Sequence, residues 1–172
     1  MSARTRTILR KMLKNKYIKL VVVSGVVTLL DQFTKGIILR YLPYNKTIPV
    51  IKGFFNITHV LNPGGAFGLM ANLNPVLRSI IFLFISSMAV GIIFYFYRKT
   101  PEKYSLLSAA FALIFGGAIG NLIDRVRFGM VVDFLDFYAG NLHWPAFNVA
   151  DSAITIGICI FLYHLIFKKM PE

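Results

Sequence analysis

The sequence predicts an all-α integral membrane protein, in which four transmembrane helices carry a small extracytoplasmic β-sheet formed by the outer loops. The chain has 172 residues, of which 56% are hydrophobic. Its mean hydropathy of +0.66 is too high for an ordinary soluble domain. Several apolar runs are long enough to cross a bilayer, and most basic residues lie at the ends of these runs. We therefore expect one membrane domain over residues 1–172.

Three of the four spans are uncharged over most of their length. A transmembrane helix needs about 20 mostly apolar residues. Stretches without Asp, Glu, Lys or Arg cover residues 79–97, 104–123 and 152–167. We expect the corresponding spans at about 76–97, 104–124 and 148–168.

The first span, at about 18–39, contains two charged residues. Asp31 and Lys35 are four residues apart, so they share one face of a helix and can form a buried pair. The basic start and the apolar run 20–30 are also typical of a signal peptide. However, no small-x-small cleavage site ends that run, and the apolar pattern resumes after Lys35. We therefore expect an uncleaved first helix.

The basic residues predict the orientation of the spans. Of 19 Lys and Arg residues, seven precede residue 20, three lie in the loop 98–103 and two follow the last span. Cytoplasmic loops are enriched in Lys and Arg, so both termini are expected in the cytoplasm and the loops at about 40–75 and 125–147 outside. The net charge of +12 is also typical of nucleic-acid binding, but its placement favours membrane topology, and we expect no nucleic-acid partner.

The outer loops contain strand-forming segments. Residues 47–51 and 54–61 are rich in β-branched and aromatic residues and are separated by Lys52-Gly53, which predicts two short strands and a turn. We expect a further strand within 128–135. In the third span, Gly116 and Gly120 have the spacing that lets another helix approach closely.

Five aspartates are the most informative residues, because only two other acids occur in the chain. Asp31 lies in the outer half of the first span, Asp124 ends the third and Asp151 opens the fourth. The predicted orientation brings these three carboxylates to the outer side of the membrane. Carboxylates at membrane depth cost a few kcal/mol on insertion scales, which makes them candidates for function.

Asp124 and Asp151 admit a structural and a functional interpretation. Asp151 is a favoured residue for a helix N-cap, and Asp124 at a helix C-terminus could be neutralised by Arg125. Alternatively, two adjacent carboxyls share one proton and act together as acid and base. Their convergence from two helices favours function. Asn121 and Asn148, each three residues before an aspartate, could donate hydrogen bonds there or tie two helices together.

Other chemistries have weaker signals. Asp133 and Asp136 are oxygen ligands without a histidine-rich neighbourhood, so we expect no metal and no cofactor, and instead expect Arg125 and Arg127 as their partners. No Ser/His or Cys/His arrangement is evident. The histidines are expected to pack or lie at the interface: His59, His143 and His164.

Four segments together resemble the bacterial lipoprotein signal peptidases, also called signal peptidase II. The segments that carry the resemblance are Asp31–Lys35, Gly116–Arg125, Val131–Tyr138 and Phe147–Ser152. They occur in the family's order, and the likeness extends over roughly residues 20–165. Each segment alone is weak evidence, whereas the set is highly specific.

The resemblance implies an intramembrane aspartic endopeptidase of the bacterial inner membrane, with Asp124 and Asp151 as the catalytic pair. Its substrates would be prolipoproteins that carry diacylglyceryl on a cysteine, cut just before that cysteine. Beside membrane lipid we expect no further partner, and the protein is expected to be a monomer. The supporting residues implied by the resemblance are Asp31, Lys35, Asn62, Gly65, Asn121, Arg125, Asp133 and Asn148. The segment Leu61–Phe67 departs from the family's pattern, because it lacks a basic residue before Asn62 and has Gly65 in place of alanine.

Two other functions remain compatible with the residues. A small ion- or proton-coupled transporter could use Asp31 and Asp151 as a relay, and would have broken helices in matched halves. A non-enzymatic scaffold would pair its acids with Arg125, Arg127 and Lys35. In that case Asp124→Asn would change stability more than activity.

Overall fold

A computed structural model describes residues 15–64 and 73–167. The elements in these ranges are α1 (Lys16–Tyr41), β1 (Thr47–Ile51), β2 (Phe55–Asn62), α2 (Pro75–Lys99), α3 (Ser105–Phe128), β3 (Val131–Ala139), β4 (Leu142–His143) and α4 (Val149–Phe167). The four described helices are long and apolar enough to cross a membrane, which confirms the predicted set of four apolar helices, while the exact ends of the spans stay predictions. The orientation of the termini and the single domain over residues 1–172 stay predictions.

Polar and glycine residues define the helix ends. The side chains of Asn15 and Asn74 accept hydrogen bonds from Tyr17 N and Val76 N, both at 2.9 Å, and thereby satisfy free amides of the first turns of α1 and α2. Gly129, with φ of 72°, ends α3 in the left-handed conformation that favours glycine. Helix α3 continues past Asp124 to Phe128, because charge interrupts the apolar run there without breaking the helix.

Helix α3 is central and packs against α1, α2 and α4. A Cβ atom on Gly116 would lie 2.8 Å from Ser24 Cα, and one on Gly120 would lie 2.6 Å from Asp31 Oδ2. These glycines therefore allow α1 to approach α3 closely, as their spacing predicted. In α2, which is described throughout, only Tyr97 is buried.

The four described strands form one antiparallel sheet in the order β1-β2-β3-β4. The first two strands match the predicted ones within a residue. The strand expected within 128–135 is β3, which begins later because α3 continues to Phe128. Strands β1 and β2 follow α1 along the chain, and strands β3 and β4 lie between α3 and α4. The sheet therefore covers one end of the helices. There, Ile38 of α1 and Leu42, which directly follows α1, pack on Val132 and Phe134 of β3.

Candidate active site

Lys35 is the centre of a buried charged cluster. Its Nζ atom lies 2.8 Å from Asp31 Oδ2 and 2.9 Å from Asp124 Oδ2, and it donates to Asn121 Oδ1 at 2.9 Å. These three acceptors match the three protons of an ammonium group. Lys35 is 1% exposed, so the predicted Asp31–Lys35 pair is confirmed and extends to a second carboxylate.

Asp124 is held from three directions. In addition to Lys35, Gln32 Nε2 donates to its Oδ1 atom at 2.9 Å, and the backbone amide of Val132 donates to Oδ2 at 3.1 Å. Arg125, which the structural interpretation offered as a partner of Asp124, instead donates to the carbonyl oxygen of Asn121 in its own helix at 3.2 Å. Asp124 is 1% exposed, and its two oxygens therefore have fixed directions.

Asp151 and Asn148 cap the first turn of α4 reciprocally. The amide of Asp151 donates to Asn148 Oδ1 at 2.9 Å, and the amide of Asn148 donates to Asp151 Oδ2 at 3.3 Å. This is the geometry of a capping box, with the acid three residues after the N-cap. The N-cap is therefore Asn148, and the interpretation of Asp151 as the N-cap was wrong.

Asn121 links the two aspartates. Its Nδ2 atom donates to Asp151 Oδ1 at 2.7 Å, and its Oδ1 atom accepts from Lys35, which also contacts Asp124. The start of α4 is joined to α1 as well, because the amide of Ala150 donates to Asp31 Oδ1 at 2.9 Å. Asp31, Asp124 and Asp151 thus belong to one network that connects α1, α3 and α4.

Asp133 joins this network from the sheet. Its Oδ1 atom accepts from Asn148 Nδ2 at 2.7 Å, and its Oδ2 atom accepts from Asn62 Nδ2 at 2.9 Å. Burial, and then the charge of Asp151, raise the pKa of Asp133 to about 7, against the opposing effect of the two amide donors. Amide side chains, and not the expected arginine, are the hydrogen-bond partners of the Asp133 oxygens, and Arg125 interacts with Asp133 only through its charge.

An open groove leads to Asp151. It has a volume of about 510 Å³, and its walls are residues 144–147, which precede α4, and the first turns of α4 itself. Most of the lining is apolar. Asp151 is half-buried, whereas Asp124 is buried. The cluster therefore presents one carboxylate to an accessible apolar groove and encloses the other beside a cation.

A model of the family described as signal peptidase (SPase) II matches residues 23–167. The chain belongs to the signal peptidase II family. It is 56% identical over 155 residues to the lipoprotein signal peptidase of Desulforapulum autotrophicum, and the aligned region covers 90% of this chain and 96% of the relative. It is 48% identical over 137 residues to the lipoprotein signal peptidase of Geobacter sulfurreducens, and this aligned region covers 80% of this chain and 84% of the relative.

Solved structures agree with this membership. The chain resembles a bacterial membrane enzyme solved by the in meso method at 1.9 Å resolution, with a TM-score of 0.76 and 33% identity. The match covers 87% of this chain and 94% of the solved one. Signal peptidase II proteins are peptidases, and the four apolar helices make this chain a multi-pass membrane member.

The structure also identifies contacts that the sequence analysis missed. Gln32 was not expected to contact Asp124, although a polar side chain inside an apolar span is itself a signal. The backbone amide of Val132 carries no sequence signal at all. Gly65, which the resemblance implied as a supporting residue, lies outside the described residues.

Proposed function

We propose that this member of the signal peptidase II family is an intramembrane aspartic endopeptidase. It removes the signal peptide from diacylglyceryl-modified prolipoproteins by cutting just before the lipidated cysteine, and Asp124 and Asp151 form its catalytic pair. The observation that carries the proposal is the network in which Asn121 and Lys35 join these carboxylates from different helices. The relatives named lipoprotein signal peptidase support the substrate class.

The chemistry uses the two carboxyl groups as an acid and a base. Two neighbouring carboxyls cannot both ionise easily, so the pair retains one proton. The ionised member takes a proton from a water molecule, which attacks the carbonyl carbon of the scissile bond. The protonated member polarises the carbonyl and then protonates the leaving amine. No nucleophilic side chain takes part.

The surrounding residues would keep both carboxyls in productive positions. Lys35 and Gln32 orient Asp124, while the capping contacts from Asn148 orient Asp151. Such fixed donors reduce the reorganisation required in the transition state. Asp31 neutralises Lys35 and anchors α4 through Ala150. One chain supplies every residue of this network, so the proposed site does not require a second copy.

The proposed location is the bacterial inner membrane, with cytoplasmic termini and the active site toward the outer leaflet. The distribution of Lys and Arg supports this orientation. An acyl chain in the bilayer would hold the scissile bond near the outer interface, where the groove opens beside Asp151. A transporter of the kind considered above would have broken helices, whereas the four described helices are continuous.

The test is cleavage of a purified diacylglyceryl-modified prolipoprotein. Wild-type protein should cut before the modified cysteine, and Asp124→Asn and Asp151→Asn should each lower the rate at least roughly a thousandfold while remaining folded. Glu102→Gln, which changes an exposed acid outside the network in the same chemical way, should leave the rate unchanged. Retention of most activity by either aspartate variant, or an inactive wild type, would reject the proposal.

A further inference from the structure

Asp136 and His143 form a second polar cluster in the sheet, separate from the carboxylates around Lys35. His143 Nδ1 lies 2.8 Å from Asp136 Oδ1, and Asn56 Nδ2 donates to Asp136 Oδ2 at 2.7 Å. The imidazole ring also stacks on Tyr138, with centroids 5.0 Å apart and an interplanar angle of 8°. The arginine partner expected for Asp136 was therefore wrong.

The environment of Asp136 keeps it a strong acceptor. Burial acts to raise the pKa of Asp136, but the hydrogen bonds from Asn56 and His143 and the adjacent imidazole outweigh it and hold this pKa below its ordinary value. An ionised carboxylate accepts stronger hydrogen bonds than a neutral group does. Strand β4 has only two residues, so this contact adds a side-chain link to its short backbone ladder with β3.

The segment after β4 forms one wall of the groove at Asp151. Trp144 follows His143 directly, and its amide donates to Phe137 O at 2.8 Å. The other end of the segment is fastened by Phe147, whose backbone exchanges hydrogen bonds with Leu135 and whose ring stacks on Phe137 at 5.8 Å. We name residues 144–147 the groove wall. Trp144 is exposed, so the wall depends on its two ends for its position.

We propose that Asp136 and His143 are positioning residues that hold the groove wall against the diacylglyceryl group of the substrate. This inference rests on the proposed function. The lipidated cysteine directly follows the scissile bond, so its lipid must lie beside Asp151, where the groove is apolar and reaches the exposed residue Ile156 of α4. The mostly apolar lining of this groove suits acyl chains, which carry no groups that need hydrogen-bond partners.

Two substitutions at His143 separate the hydrogen bond from the ring stacking. His143→Phe keeps a ring against Tyr138 but removes the donor to Asp136. His143→Asn removes the ring but places an amide nitrogen where Nδ1 was. We expect His143→Phe to raise KM for the lipidated substrate in mixed micelles by about three- to tenfold, a range reduced because His143 is half exposed. The kcat value should stay unchanged, and His143→Asn should restore KM.

Two comparison variants sharpen the kinetic result. Asp136→Asn should give the same KM defect as His143→Phe. The substituted amide offers one acceptor oxygen in place of two, so Asn56 or His143 would lose its acceptor. Leu142→Ala changes the other residue of β4, whose side chain is 80% exposed, and should leave KM unchanged. Thermal unfolding of each variant distinguishes a displaced wall from a loss of folding.

Fluorescence gives a direct readout of the wall, because Trp144 is the single tryptophan of the chain. In an Asp124→Asn background, which prevents turnover, a lipopeptide with brominated acyl chains should quench Trp144. Adding His143→Phe should weaken the quenching at saturating lipopeptide. Absent quenching, or a KM for His143→Phe equal to that of the wild type, would overturn this inference while the wild type still cleaves. An inactive wild type would instead reject the proposed function.

Discussion

Replacing Lys35 with methionine tests whether one buried cation holds the network together. Methionine is close to lysine in length but carries no charge and no donor. The substitution leaves Asp31 and Asp124, which are 0% and 1% exposed, without the ammonium that lies 2.8 and 2.9 Å from their oxygens. It also removes the hydrogen bond to Asn121.

The expected cost follows from the burial of these groups. Removing one partner of a buried ion pair costs about 3–5 kcal/mol, because the remaining charge has neither water nor a counter-ion. Lys35 neutralises two carboxylates, so we expect a loss of about 5 kcal/mol. That loss is comparable with the whole stability of a marginal protein, about 5–15 kcal/mol. Lys46→Met, the same change at an exposed position, should alter stability by less than about 0.5 kcal/mol.

The measurement is the free energy of unfolding in mixed micelles, titrated with a denaturing detergent. A double variant, Asp31→Asn with Lys35→Met, should recover part of the loss, since it removes one uncompensated carboxylate and keeps an oxygen for the amide of Ala150. Equal stabilities for Lys35→Met and the wild type would refute the assignment of Lys35 as the counter-ion of both aspartates.

Two further predictions concern packing and pH. Gly117→Ala should destabilise the protein by about 1–3 kcal/mol, because a Cβ atom there would collide with the backbone of α4. Gly91→Ala adds a Cβ atom in open space and should be neutral or slightly stabilising. Parallel unfolding titrations compare the two variants. The pKa of Asp133 is raised from 3.8 to about 7 by burial and then by the charge of Asp151, so the folded state binds more protons between these values. Its contribution to stability is therefore fully present below about pH 4 and is lost as pH rises through about 7. The stability of Asp133→Asn should not fall in this way when its unfolding is measured between about pH 4 and pH 7. If this variant and the wild type showed the same pH dependence, the prediction would be contradicted.

The sequence by itself determined the spans, the strands and the set of acidic residues. A bilayer requires each span to satisfy its own backbone hydrogen bonds and to expose apolar side chains, so apolar length is sufficient to locate it. The pairing of Asp31 with Lys35 was predictable for a similar reason, since a spacing of four residues places both on one helix face. Gly116 and Gly120 of α3 predicted a close helix approach, because their spacing of four residues also places both on one helix face.

Only the tertiary structure decided which partners the acids take. Asp124 pairs with Lys35 and not with its neighbour Arg125, because consecutive helical residues point about 100° apart while the glycines bring α1 alongside. Asn148 became the N-cap because α4 begins at Val149. The register of β3 and β4 places His143 within hydrogen-bond distance of Asp136. Such contacts depend on where a chain turns and which faces meet, and residue types alone do not specify either.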